Sequence, residues 1–137
     1  MGTLIAPEEL KRQLEVVGSP IQKERGSFLF RRGDEVSGIF LICQGAVQLG
    51  LERDLPGFPP RRLGPGSVLG LPATLSDMPY SLTAEVLENS ELIYLQRERL
   101  LDLLREKPEL SFHVMAILSE ELARTRSAIE QTRKSHV

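Results

Sequence analysis

Gly66-Ser67-Val68-Leu69-Gly70-Leu71-Pro72-Ala73-Thr74-Leu75-Ser76-Asp77-Met78-Pro79-Tyr80-Ser81-Leu82-Thr83-Ala84 reads as a cradle bracketed by two short strands. Gly66 and Gly70 let backbone pass close to another group. A glycine turn that runs into a short helical segment leaves backbone N–H groups pointing outward, a geometry that suits an anion. The stretch continues as Ser81-Leu82-Thr83-Ala84-Glu85-Val86, whose polar–apolar alternation has the period of a half-buried strand. The shape of a ligand site is legible here, and its chemistry depends on which side chains fill it.

Upstream of the cradle the chain is divided into short β segments. Phe28-Leu29-Phe30 is strand-like and stops at the turn residues Arg32-Gly33-Asp34. Ile39-Phe40-Leu41-Ile42-Cys43 is continuously apolar, as in a strand covered on both faces, and Gly45 is expected to break it. Val47, Leu49 and Leu51 then alternate with Gln48, Gly50 and Glu52, which gives a strand with one wet face. Arg53 to Pro60 contains Pro56-Gly57 and Pro59-Pro60 and reads as an exposed hairpin loop. Arg61-Arg62-Leu63 resumes a strand, and Glu91-Leu92-Ile93-Tyr94-Leu95 is expected as the last one. Strands this short and this closely spaced favour a small antiparallel roll or jelly-roll-like barrel.

Helices flank this β region. Pro7 to Val17 carries Leu10, Leu14 and Val17 at i, i+4 and i+7, with Glu8 and Glu9 at its N-terminus, and Gly18 and Pro20 should end it. Arg97 to Glu106 forms a short leucine-rich helix. A long helix is predicted from Pro108 to about Lys134, in which Met115, Leu118, Leu122, Thr125, Ile129 and Thr132 recur with 3-4 spacing. That stripe reads as a homodimer seam, the alternative being that it packs on its own barrel. Glu120–Arg124 and Glu130–Lys134 are i,i+4 pairs in the favoured orientation. The expected organisation is one domain over 1–137: an N-terminal helix (1–20), a β-roll (21–95) and C-terminal helices (97–135).

Composition narrows the function classes. With 137 residues, 41% hydrophobic and 26% charged, the chain suits one globular domain with a sizeable core and argues against disorder. A net charge of −2 gives no reason to expect a nucleic-acid or membrane surface. No apolar run approaches the roughly 20 residues of a membrane helix, and Met1 to Lys11 lacks the order of a signal peptide. A cytoplasmic location is the expectation. The single cysteine, Cys43, excludes an internal disulfide and reads as an inert core thiol. The two histidines, His113 and His136, both lie in the helical tail, so a strand-borne metal site of cupin type is disfavoured, and a lone helical His113 reads as a packing or surface residue rather than a haem ligand. Ser76-Asp77 has no nearby histidine to complete a hydrolase triad. No catalytic constellation emerges and no cofactor is expected.

The ordered set of motifs is specific. Phe30-Arg31-Arg32-Gly33-Asp34 is followed by Ile39-Phe40-Leu41-Ile42-Cys43-Gln44-Gly45-Ala46-Val47, by Leu63-Gly64-Pro65-Gly66-Ser67-Val68-Leu69-Gly70, and by Thr83-Ala84-Glu85-Val86. Together with Leu118-Ser119-Glu120-Glu121-Leu122-Ala123, this series resembles the cyclic nucleotide-binding domain of the Crp/Fnr regulators over nearly the whole chain. The resemblance implies a non-enzymatic sensor with a dimerisation helix. It also implies a cradle that begins Gly-Glu, for the ribose hydroxyl, and ends Arg-Ser/Thr-Ala, for the cyclic phosphate. Here Gly70, Thr83 and Ala84 match. Leu71 stands at the glutamate position, followed by Pro72, Leu82 stands at the arginine position, and one extra residue separates the two ends. Both charged ligands of the family are missing. Leu82 shares parity with Ala84 and Val86 and is expected to face the core and close the pocket.

Arg61 shares parity with Leu63, so it is a candidate for a displaced anion contact. The favoured alternative leaves both Arg61 and Arg62 solvated at the hairpin end. Regulators of this family continue into a helix-turn-helix, for which these 137 residues leave no room, so direct DNA binding is not expected. Two readings follow: a sensor for a small-molecule or nucleotide ligand that acts through its dimer helix, and a degenerate interaction module whose pocket is filled by its own side chains.

Overall fold

The computed structural model describes residues 6–51 and 59–135, with side chains described at all of these except 122 and 124–135. Helix α1 (Glu8–Val17) starts after Pro7, carries Glu8 and Glu9 in its first turn and ends at Gly18, whose N–H donates to the Leu14 carbonyl at 2.8 Å. Its stripe buries Leu10 and Leu14 to 1% exposure each. Each such leucine contributes about 2 kcal/mol of apolar burial.

Six strands then form one antiparallel sheet: β1 (Ser19–Lys23), β2 (Phe28–Phe30), β3 (Gly38–Gly50), β4 (Arg61–Leu63), β5 (Val68–Leu69) and β6 (Thr83–Gln96). The main path runs β1-β6-β3-β4, with β2 added on β6 and β5 on β3. Its spine is the β3–β6 ribbon, paired from Gly38 opposite Gln96 to Gly50 opposite Thr83. Helix α2 (Leu71–Ser76) lies between β5 and β6, and α3 (Arg97–Glu106) and α4 (Leu110–Ser135) follow the sheet. The mainly β architecture with flanking helices is the one expected from the sequence.

Several boundaries differ from expectation. Gly45 does not break the strand. It has φ +105°, and the pairing with β6 shifts register on both sides of it, so the residue forms a bulge inside one long β3. A Cβ there would collide with Ser90, which leaves glycine as the residue that fits. The segments Ser81–Val86 and Glu91–Leu95 are not separate strands; from Thr83 on they belong to the 14-residue β6, and Ser81 and Leu82 precede it. Ile39, Phe40, Leu41 and Ile42 are buried as expected, but Cys43 lies exposed at the surface and is not a core thiol. The first strand already begins at Ser19, and α4 begins at Leu110 rather than Pro108. Most of the expected loop from Arg53 to Pro60 lies outside the described residues; Pro59 and Pro60 are exposed.

The position of α4 sets the site. Leu110, Val114 and Ile117 are 0%, 3% and 3% exposed, so the inner face of this helix is the i, i+4, i+7 row that continues to Glu121. The row packs towards α1 and α2. Phe112 and Met115 are on the outside, 75% and 60% exposed.

Candidate functional site

The cradle is anchored at its entrance by reciprocal backbone bonds: Gly66 N–H donates to the Ile42 carbonyl at 2.8 Å, and Ile42 N–H donates to the Ser67 carbonyl at 2.9 Å. Val68 and Leu69 then pair with Leu41 and Phe40 of β3. Gly70 turns the chain into α2 with φ +91°, and a Cβ at this position would lie 3.0 Å from the Gly38 carbonyl oxygen. The turn is therefore closely packed on β3. Leu71 and Thr74 are buried, Ala73 nearly so, and Pro72 is exposed. Pro72 has no N–H, so the first turn of α2 offers one donor fewer than the anion geometry expected from the glycine turn. Asp77 ends α2 in the left-handed region at φ 55°. Arg97, the first residue of α3, holds this end: its Nε donates to the Thr74 carbonyl at 2.8 Å and stands 3.7 Å from Asp77 Oδ1.

Beyond α2 the chain is pinned by Tyr80, which sequence reasoning did not single out. Its ring stacks on Phe30 with centroids 3.9 Å apart and planes 7° from parallel. Its hydroxyl donates to the Gly38 carbonyl at 2.7 Å and accepts from the N–H groups of Ser37 and Gly38, each at 3.1 Å. Its backbone N–H donates to the Asp34 carbonyl, and its own carbonyl accepts from Gly33 N–H. The Arg32-Gly33-Asp34 turn and the far lip of the cradle are thus one hydrogen-bonded unit. Leu82 follows, half-buried, with Thr83 and Ala84 buried. Thr83 Oγ1 accepts from Arg32 N–H at 2.9 Å.

Gly70, Leu71, Pro72 and Leu82 line a single narrow cavity with Phe30, Leu49, Val68 and Tyr80; Thr83 and Ala84 sit in the strand beside it. The cavity holds about 50 Å³, room for a few waters and far below the roughly 300 Å³ at the small end of ligand pockets. Its remaining wall comes from α4: Ile117 and Glu121 close over it. Apolar side chains at positions 71 and 82 leave this space without a charge of its own on the cradle strands.

Arg61 is not solvated at the hairpin end; its side chain is largely buried beside the cavity that Glu121 lines. It stands opposite Leu49 in the β3–β4 pairing, and its Nη1 donates to Glu121 Oε1 at 2.9 Å, with side chains 22% and 16% exposed. The ion pair ties β4 to α4 at the edge of the cavity. Arg62 does face outward, where it pairs with Glu88. The helical sequence carries two rows at once, Met115–Leu118–Leu122 and Leu110–Val114–Ile117–Glu121, and it is the second, not singled out by sequence, that places Ile117 and Glu121 at the cavity. Of the residues expected at the dimer seam, Met115 is exposed and Leu118 is half-buried against the core, while the side chains of Leu122, Thr125 and Ile129, and the pairs Glu120–Arg124 and Glu130–Lys134, lie outside the described residues.

Elsewhere, partial burial pushes the Cys43 thiol above its ordinary pKa, with the Glu15 and Glu91 carboxylates adding to the effect and Lys11 opposing it. Among the described residues no group of three or more histidine, cysteine or acidic side chains is placed to hold a metal ion. No helix among them is long and apolar enough to cross a membrane.

Comparison with known proteins adds a family to this geometry. The family described as "Cyclic nucleotide-binding domain" matches residues 20–107. The "Cyclic AMP receptor protein" of Thermus thermophilus is 31% identical over 124 residues, covering 86% of this chain and 55% of the relative. The "Transcriptional activator protein FnrA" of Stutzerimonas stutzeri is 34% identical over 110 residues, 77% of this chain and 42% of the relative. The chain therefore spans about half the length of the curated relatives it matches. Among solved structures, the catabolite activator protein of Thermus thermophilus superposes with a TM-score of 0.75 at 28% identity, over 91% of this chain and 59% of that one.

Proposed function

This chain belongs to the cyclic nucleotide-binding domain family, with homologues among the Crp/Fnr regulators, and from that premise we propose that it is a non-enzymatic sensor domain whose cradle does not take an ordinary cyclic nucleotide. Its signal passes through α4 to a homodimer. The observation that carries the reading is the pairing of two apolar residues, Leu71 and Leu82, at the ends of the cradle with a roof made by Ile117 and Glu121 of α4. A cyclic phosphate placed there would be buried against leucine with no cation on the cradle strands, a strongly unfavourable arrangement. Because one wall of the cavity is a helix, any molecule larger than the present cavity must shift that helix on entry, and binding and helix position are then linked.

The dimer part of the reading is supported by the outer face of α4, where Phe112 and Met115 lie one turn apart and exposed. Two large apolar side chains on one open helix face are suited to burial against a second copy. The small cavity supports a second reading, an interaction module whose cradle is permanently filled by its own side chains.

A thermal titration with cyclic AMP, cyclic GMP and cyclic di-GMP tests the proposal. Ligand at 100 times its dissociation constant stabilises a protein by about 2.7 kcal/mol, which is readily seen in a melting curve. The proposal expects no dose-dependent rise with any of the three. A saturable rise with one of them would overturn it.

A further inference from the structure

The residue that closes the cradle is itself an anion held by an arginine. Glu121 lines the cavity and receives the Arg61 guanidinium at 2.9 Å. The rest of the lining is mostly apolar, with Phe30, Leu49, Val68, Leu71 and Leu82 around the space and Tyr80 and Ser81 at its far lip. We propose that Glu121 acts as an internal stand-in, and that the cradle senses a compact molecule with an apolar body and a single carboxylate, which takes Arg61 away from Glu121 and lifts α4. This inference rests on the reading of the cradle as a ligand site.

The chemistry follows from what the site holds and lacks. A guanidinium offers two parallel N–H donors to a carboxylate, and this pairing is directional and charge-assisted. An incoming carboxylate repeats the bond that Glu121 already makes, so the exchange keeps the guanidinium paired while the apolar body gains contact with the leucine walls. Starting from a cavity of about 50 Å³, a phosphodiester with a purine needs a far larger displacement of α4 than a compact acid does. Glu121 and Ile117 are one helical turn apart on the same face. Displacement of the first by the carboxylate and of the second by the apolar body therefore act on one turn of α4, the turn that carries Leu118 between them. The ligand's preference for the lifted state over the closed one is what moves the equilibrium.

The test uses hexanoate and phenylacetate as probes, with hexanamide and phenylacetamide as uncharged counterparts of the same shape. Binding is followed by thermal shift and by titration calorimetry on the full chain, with Arg61→Gln and Glu121→Gln variants whose folding is checked by circular dichroism. The expected pattern is binding of an acid but not its amide, a loss of about tenfold or more in Arg61→Gln, and a gain of about tenfold in Glu121→Gln, where the internal competitor has lost its charge. Equal binding of acid and amide, unaffected by Arg61→Gln, would overturn the carboxylate inference while leaving the cradle as a ligand site. Failure of all four probes to bind either the wild type or Glu121→Gln would overturn the inference and, with it, favour the filled-pocket reading.

Discussion

Replacing Tyr80 by phenylalanine should weaken the fold by about 2–4 kcal/mol through one oxygen atom. The ring is retained, and so is its stack on Phe30 at 3.9 Å. What disappears is the hydroxyl that donates to the Gly38 carbonyl and accepts from the N–H groups of Ser37 and Gly38. Ser37 is exposed and can turn to water, but Gly38 is buried, so its donor and acceptor are both left without this partner. A buried polar group that loses its partner costs about 1–3 kcal/mol, and two such groups at about 1–2 kcal/mol each, the lower part of that span, set the range. For a domain of this size each kcal/mol moves the melting temperature by roughly 3 °C, so a fall of about 6–12 °C is expected. Urea unfolding gives the free energy directly, and an unchanged slope would show that the denatured state is not responsible. A loss under about 0.5 kcal/mol at constant slope would show that the hydroxyl is an ornament on the stacked rings and not the pin between β3 and the cradle.

Three further outcomes are expected. Thr74 Oγ1 is fully buried and finds no hydrogen-bond partner among the described residues, so Thr74→Val should stabilise the protein by about 1 kcal/mol in the same urea experiment. Paired Phe112→Asp and Met115→Asp substitutions place charge on the exposed face of α4; a two-fold dimer meets each change twice, and sedimentation should show dimer affinity weakened by roughly a hundredfold or more. The Cys43 thiol is held above its ordinary pKa by partial burial and by Glu15 and Glu91, so its alkylation by iodoacetamide should reach half-maximal rate at a higher pH than that of cysteine in an unstructured peptide, and an equal or lower midpoint would contradict this.

The β-roll was legible because its strands are short, apolar and separated by turn residues, and α1 and α3 because each carries one apolar stripe between clear stop signals. Gly45 was misread since a glycine inside an apolar run signals a break and a bulge alike, and only the partner strand decides between them. Ser81–Val86 and Glu91–Leu95 read as two strands, yet pairing with the long β3 carries β6 through the residues between Val86 and Glu91. Cys43 sits in an apolar pentad, yet its side chain is exposed within electrostatic reach of Glu15 and Lys11 of α1, which local sequence does not reveal. At the site, the apolar character of Leu71 and Leu82 could be read directly, and both line the cavity, with Leu82 half-buried. The partner of Arg61 was not legible. Arg61 and Glu121 are 60 residues apart, and strand parity gives the side of the sheet on which Arg61 emerges but says nothing of the helix that lies there. Tyr80 is the converse case: its importance comes from the meeting of four separate segments, none of which marks it in sequence.

The Arg61–Glu121 ion pair latches α4 to β4 at the edge of the cavity. A double-mutant cycle of Arg61→Gln, Glu121→Gln and the pair, measured by urea unfolding, reads the strength of that latch. With side chains 22% and 16% exposed, the coupling should exceed that of a surface ion pair and come to about 1–2 kcal/mol in favour of the folded state. A coupling within about 0.3 kcal/mol of zero would contradict the account, since the helix would then be held without the latch that the ligand is proposed to release.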